Sequence, residues 1–189
     1  MTATTLDLIA LIGSLRRGSY NRGLYLAARG ALPEGVTLED FPIGDLPHFD
    51  QDLEANPPAI VLDFQDRLRR AHGLVVFTPE YNGAMPGVLK NALDWGSRPS
   101  GASAIAGTPA TVFGAAAGRF GTARAQTQVR QQFAALDLPD LHKPEFYLPF
   151  ASKHFSEDGL LADADMHAAI ARQMNAFIAW VRRLSSQDR

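Results

Sequence analysis

The sequence predicts a doubly wound α/β fold: a five-stranded parallel sheet with helices on both faces. Short, almost uniformly apolar runs alternate with stretches of helical period, which is the pattern of strand–helix–strand units with right-handed crossovers. The apolar runs at 6–12 and 73–78 are each followed by a polar loop containing glycine. Open α/β sheets place ligands at the carboxyl ends of such strands, where the strand order reverses. A chain of 189 residues is one domain by expectation, spanning 1–189, and is long enough to bury a large core.

The elements follow in order. Residues 6–12 read as a parallel strand covered on both faces. Leu24, Ala27, Ala28 and Ala31 then form a helical stripe, and Pro33-Glu34-Gly35 turns the chain into a short strand at 36–41. The stretch 42–58 carries four prolines and no clear period, and a loop of that length inside a domain is usually functional. Pro58 opens a helix with Val61, Phe64, Leu68 and Ala71 on one face, and a third strand occupies 73–78. The segment 86–95 reads as a helix with Pro86 in its first turn, where an amide would be orphaned anyway. The fourth strand is expected at 108–115, a helix at 121–136, and a short fifth strand at 146–148 between Pro144 and Pro149. Met166, Ile170, Met174, Phe177, Ile178, Val181 and Leu184 mark a long amphipathic helix.

Composition excludes several functions. A net charge of −2 lacks the basic excess of a nucleic-acid surface. With no cysteine there is no disulfide, thiolate nucleophile or cysteine-ligated cluster, so any electron transfer falls to an organic cofactor. No apolar run reaches the roughly 20 residues that span a bilayer, and residues 1–5 lack the charged and apolar regions of a signal peptide. A cytoplasmic protein with no membrane partner is expected. The histidines at 48, 72, 142, 154 and 167 show no metal-ligand spacing, so no metal is assigned.

Two loops carry the chemistry. The first is Gly13-Ser14-Leu15-Arg16-Arg17-Gly18-Ser19-Tyr20-Asn21. Hydroxyls at Ser14 and Ser19, the Asn21 amide and the backbone donors of a helix start suit phosphate oxygens, and Arg16 adds a fork of charged donors. The loop is neither Gly-x-Gly-x-x-Gly nor a Walker A sequence, which favours one terminal phosphate over a pyrophosphate. The second loop is Pro79-Glu80-Tyr81-Asn82-Gly83.

Together, Gly13-Ser14-x-Arg16-x-x-Ser19-x-Asn21, Pro79-Glu80-Tyr81-Asn82 and Pro86-Gly87-x-Leu89-Lys90-Asn91-Ala92-x-Asp94-Trp95 resemble the NADPH-dependent FMN reductases of the flavodoxin-like superfamily. Gly121-x-Ala123-Arg124-Ala125-Gln126 extends the match, which covers roughly residues 5 to 150. One departure is Ala115-Ala116-Ala117, where the family usually has serines. Together with the ligand loops after the first and third strands, the resemblance implies the flavodoxin-like strand order 2-1-3-4-5. It also implies FMN as cofactor, NADPH or NADH as hydride donor, and a small-molecule electron acceptor: a quinone, azo compound, flavin or metal oxyanion. It assigns Ser14, Leu15, Arg16, Ser19, Tyr20 and Asn21 to the FMN phosphate end. Pro79, Glu80, Tyr81, Asn82 and Gly83 are assigned to the ring, and Ala116 and Gly118, with Arg119 and Phe120 beside them, to a third wall.

Backbone donors at the second loop would stabilise negative charge on a reduced ring, with Gly83 letting the backbone approach closely. A carboxylate there would be unfavourable, so Glu80 is expected to point away and tie the loop down. No side chain is expected to be catalytic in the strict sense, because hydride transfer demands positioning and electrostatics. Asn91, Asp94 and Trp95 read as packing or subunit contacts. Family members commonly form dimers or tetramers, so a homodimer or homotetramer is implied, with Arg124 and Glu145 as candidate subunit contacts and the 42–58 loop as a roof from a neighbour. A flavodoxin-like electron carrier, a non-catalytic flavin-binding regulator and a Rossmann enzyme using Glu39 or Asp40 are the alternatives.

Arg16→Ala should weaken FMN binding by roughly one to two orders of magnitude through loss of a charge-assisted contact. Titration of apoprotein measures this, and equal affinity for FMN, riboflavin and FAD would remove the phosphate cradle.

Overall fold

The structure, a computed structural model, describes residues 5–187. Residues 1–4, which make up most of the segment read for a leader, lie outside the described residues. Five strands, β1 (Leu6–Ile12), β2 (Val36–Phe41), β3 (Gly73–Thr78), β4 (Ala110–Ala115) and β5 (Phe146–Leu148), form a sheet in the order β2-β1-β3-β4-β5. All pairs are parallel, with Ile12 opposite Phe77, Thr78 opposite Gly114 and Ala115 opposite Leu148. The carboxyl ends of β1, β3, β4 and β5 therefore share one edge.

The side-chain alternation of the strands divides the core. Leu8, Ala10, Ile12, Val75 and Phe77 pack with α1 (Tyr20–Gly30) and α5 (Ala164–Gln187). Ile9, Leu11, Leu74 and Val76 pack with α2 (Ala59–Arg70), α3 (Gly87–Gly96) and α4 (Ala123–Ala135). Every residue of β3 and β4 is buried, the expected state of central parallel strands. Among the described residues, no helix is long and apolar enough to cross a membrane.

The element starts differ from the sequence expectation in consistent ways. Pro86 and Pro58 stand just outside their helices with extended ψ values of 144° and 150°. Each contributes its carbonyl, Pro86 to the amides of Leu89 and Lys90 and Pro58 to those of Val61 and Leu62. The helix expected from Gly121 begins at Ala123, because Gly121 and Thr122 have φ of +52° and +74°, outside helical space. The fourth strand begins at Ala110 rather than Thr108, whose amide turns back to the Ile105 carbonyl.

The 42–58 loop, expected as a roof for a neighbour, is fastened to α3 of its own chain. The Pro47 carbonyl accepts from Asn91 Nδ2 and Trp95 Nε1, both at 2.9 Å, and Asn91 Oδ1 accepts from the Phe49 amide at 2.7 Å. Asn91 and Trp95 are thus packing residues within the chain, while Asp94 pairs with Lys90 at 2.5 Å.

Asn21 receives a different role from the one its sequence position suggests. Its side chain is buried and binds the backbone of Ala115 twice: Nδ2 donates to the carbonyl at 3.0 Å and Oδ1 accepts from the amide at 3.0 Å. It pins the start of α1 to the end of β4, spending its amide oxygen and one amide hydrogen on the backbone. Asn21→Ala should orphan both Ala115 groups and cost about 2–4 kcal/mol of stability. Denaturant unfolding tests this, and a loss below about 1 kcal/mol would deny the pin its role.

Candidate active site at the carboxyl edge of the sheet

The first loop is held at its ends and open between them. The Gly13 amide continues the β1–β3 ladder by donating to the Phe77 carbonyl at 2.8 Å. A Cβ at Gly13 would stand 3.1 Å from Pro86 Cγ and 3.2 Å from Pro79 Cδ, so glycine is what allows the first and second loops to meet. At the other end Ser19 caps α1, accepting from the Arg22 amide at 3.3 Å. The hydroxyl hydrogen of Ser19 remains free to donate. Among the described residues, the backbone amides of residues 14–21 have no hydrogen-bond partner in the protein. Ser14 is buried, Leu15 is 62% exposed, and the Arg16 guanidinium lies over the Tyr20 ring at 4.9 Å.

The second loop is a two-residue hairpin. Tyr81 and Ala84 exchange hydrogen bonds of 3.1 and 3.0 Å, with Asn82 and Gly83 at φ of +52° and +78° between them. Asn-Gly is the dipeptide that tolerates these two positive φ values in a type I′ turn. Within the chain, Gly83 serves the turn: its φ of +78° is one that side chains rarely adopt, and a Cβ there would meet no protein atom nearer than Arg124 at 3.6 Å. The hairpin also limits the donors: Pro79 has no N–H and the Tyr81 amide is spent on Ala84, leaving the amides of Glu80, Asn82 and Gly83 without a partner among the described residues.

Glu80 turns away from the crevice, as expected on electrostatic grounds, and its side chain is only 5% exposed. It accepts from the Arg124 and Ala125 amides at 3.0 and 3.2 Å and from Arg124 Nε at 2.7 Å, and forms an ion pair with Arg124 Nη2. Thr122 stands at the N-cap of α4 but its hydroxyl makes no capping bond, accepting instead from Gln126 Nε2 at 3.0 Å, so Glu80 supplies the cap from another loop. Burial raises the Glu80 pKa, but the Arg124 side chain and the two amides outweigh it and hold the carboxyl below its ordinary value of 4.5.

The third wall is tied to the other two. Ala116 spends its amide on Leu148 and its carbonyl on the Ala151 amide, so it offers a ligand only its methyl group. The Gly118 carbonyl accepts from Phe150 at 3.3 Å, while a Cβ on Gly118 would meet nothing within 4 Å. Arg119 and Phe120 are exposed. Across the crevice Ser14 Oγ and Tyr81 Oη stand 3.3 Å apart, joining the first loop to the second. Four of the eight large exposed apolar side chains among the described residues, Leu15, Tyr81, Phe120 and Phe150, belong to loops at this edge.

A cavity of about 390 Å³ opens beside the first loop, lined by Ser14, Leu15, Arg16, Arg17, Gly44 and Asp45. A larger one of about 500 Å³ lies along α2 and the free edge of β2, among Asp7, Thr37, Glu39, Asp63 and Arg67. The carboxyl edge is the candidate site despite its smaller cavity, because loops and unspent donors converge there. Arg124 and Glu145, implied as subunit contacts, are engaged within the chain: Arg124 with Glu80, and Glu145 with Lys143 and Tyr147. Phe150 and Lys153, which follow β5, were not singled out in the sequence; an aromatic residue directly after Pro149 at the strand's end was the available signal.

A parallel sheet ordered 2-1-3-4-5, with a serine-capped helix start facing a hairpin across the β1–β3 crevice, defines a flavodoxin-like protein with a ligand site at its switch point. Residues 6–153 match the family described as NADPH-dependent FMN reductase, and the chain belongs to that family. It is 42% identical over 181 residues to an NAD(P)H-dependent FMN reductase of Pseudomonas aeruginosa, covering 95% of this chain and 97% of that one. It is 37% identical over 177 residues to a 2-hydroxy-1,4-benzoquinone reductase of Burkholderia, covering 94% and 97%. Among solved structures it is similar to FerB, a flavoenzyme NAD(P)H:(acceptor) oxidoreductase of Paracoccus denitrificans, with a TM-score of 0.87 and 31% identity over 95% of this chain and 98% of that one.

The Glu80 anchor should show in acid. Because its folded pKa is lowered, its stabilisation is present above 4.5 and is lost as pH falls through the depressed value. The stability difference between wild type and Glu80→Gln should therefore be largest near neutrality and shrink below pH 4.5. A difference independent of pH in denaturant titrations would mean that the ionised carboxylate is not what holds α4.

Proposed function

We propose that this protein is an FMN-dependent NAD(P)H:acceptor oxidoreductase, working by a ping-pong scheme on quinones and related small oxidants. Membership of the family supports the reductase activity. The observation that carries the cofactor assignment is the run of unpartnered amides at 14–21, ending in the Ser19-capped start of α1 and facing the hairpin of residues 81–84. Such a run is a ready anion cradle, and the helix dipole adds to it. Ser14, Ser19 and Arg16 would hold the phosphate, with Leu15 and Tyr20 flanking it. Tyr81 and the amides of Glu80, Asn82 and Gly83 would line the ring, and Gly118 the far wall, where absence of a side chain leaves room. Asn21 and Ala116 act through the frame, by fixing α1 and β5 to the end of β4.

FMN held by these residues would supply the hydride chemistry between a nicotinamide donor and the acceptor. The protein's residues bind, orient and screen. Donors directed at the ring favour charge on it, and Glu80, already neutralised by Arg124, adds no repulsion. One planar slot serving donor and acceptor in turn accounts for the ping-pong scheme, and quinones fit it because they are planar and accept two electrons. The resemblance further supports a homodimer or homotetramer.

Purified protein should show flavin absorption that bleaches on anaerobic NADPH addition and returns with a soluble quinone. Double-reciprocal plots for NADPH and quinone should be parallel. Intersecting plots would replace the shared slot by a ternary complex. Light scattering at assay concentration should report a dimer or tetramer, and an active monomer would exclude the oligomer.

A further inference from the structure

The exposed phenyl rings at the carboxyl edge each carry a cation. The guanidinium of Arg119 lies 4.7 Å from the Phe120 centroid and that of Arg124 lies 4.4 Å from it, while Lys153 Nζ lies 5.4 Å from the Phe150 centroid. Phe120 and Phe150 are 46% and 47% exposed. Their loops follow β4 and β5 and are joined by the Phe150 amide donating to Gly118 and the Ala151 amide donating to Ala116.

The charges of these cations are not equivalent. Arg124 is neutralised by Glu80. Arg119 and Lys153 have no carboxylate partner among the described residues, and neither do Arg16 and Arg17 of the first loop. Against them stand Asp45, which shares the smaller cavity with Arg16 and Arg17, and the exposed Glu157 and Asp158 of the turn that packs on the start of α1. The edge thus carries both signs, and the cations that matter are the individual ones beside the rings. Lone surface cations are ordinary. What sets Arg119 and Lys153 apart is that each stands over a half-exposed phenyl ring, on adjoining loops, beside a crevice suited to planar ligands. An aromatic face and an unpaired cation side by side match a ligand that carries both a ring and a negative charge.

The geometry points to a subsite, built by Phe120 with Arg119 and Phe150 with Lys153, for an aromatic ring bearing an anionic group. The inference rests on the proposed function, which supplies two sources of that chemistry: an anionic quinone-type acceptor, and the adenylate end of the dinucleotide donor.

The deciding measurement is calorimetric binding of naphthalene-2-sulfonate and naphthalene-2-sulfonamide to FMN-loaded protein at low ionic strength. The two share ring and shape and differ in charge. The sulfonate should bind roughly tenfold tighter. The gap should close in high salt and in the double variant Arg119→Gln/Lys153→Gln, and persist in Arg119→Lys/Lys153→Arg. Equal affinities in the wild type, or a gap that survives neutralisation of both cations, would overturn the subsite. Single-turnover kinetics then separate the sources. Slower reduction by NADPH in the neutralised variant assigns the subsite to the donor, and slower reoxidation by a naphthoquinone sulfonate assigns it to the acceptor. Neither half-reaction slowing would also overturn it. The binding comparison needs no turnover and can be repeated without FMN, so failure of the reductase reading and failure of this inference give different results.

Discussion

The carboxyl edge of the sheet is organised around one buried side chain, Asn21, which exchanges two hydrogen bonds with the backbone of Ala115. Ladder bonds set the register of parallel strands but leave the loops beyond them undetermined. Asn21 crosses from the first turn of α1 to the last residue of β4, a separation of 94 residues in sequence. Ser19, two positions earlier, is the cap of the same helix. The end of the first loop is therefore fixed against the far side of the sheet, while its start is fixed by the Gly13 bond to Phe77. Anchored at both ends, the loop keeps its amides ordered without spending them. A site that binds through backbone donors requires that combination.

This reliance on backbone explains why the alanines at 115–117 do not disqualify the third wall. Serines there would add hydroxyl donors, but the duties visible in the structure belong to the main chain. Ala115 receives Asn21, and Ala116 joins Leu148 and Ala151. Gly114 is under a stricter demand: a Cβ there would fall 2.0 Å from Thr122 Oγ1 and 2.8 Å from the Thr78 carbonyl. Small residues at the end of β4 thus let the following loop fold back tightly onto β3 and α4.

The inner strands at 6–12 and 73–78 were legible as nearly unbroken apolar runs, while the edge strands at 36–41 and 146–148, which bury alternate residues, were marked by the turn residues and prolines that bound them; all four coincide with the observed elements. Helix starts were read a residue or two early, because proline and glycine mark a boundary without saying on which side of it they lie. The direction of Glu80 was legible once the resemblance implied a flavin, since a carboxylate facing a reduced ring is unfavourable. Asn21 was not: an amide side chain suits a phosphate or a backbone carbonyl equally well, and only the tertiary structure shows that Ala115 claims it. Phe150 and Lys153 escaped for a related reason, as their proximity to the third wall arises from hydrogen bonds between the β4 and β5 loops.

The second loop combines a firm base with a yielding tip. Its base is Glu80, held by an ion pair and two backbone amides in a nearly buried setting, where charge-assisted bonds are strong. Its tip is Tyr81, whose ring is 51% exposed and whose hydroxyl meets Ser14 at 3.3 Å. A neutral hydroxyl pair at that distance contributes at most about 1 kcal/mol. A planar ligand entering between the loops thus meets resistance that differs sharply along the hairpin. The Ser14–Tyr81 contact can be exchanged for contacts with the ligand at little cost, whereas moving Glu80 would uncap α4 and release Arg124 from its place over Phe120. The crevice can therefore open at its mouth while the amides behind it keep their positions, which suits the proposed slot that would admit donor and acceptor in turn.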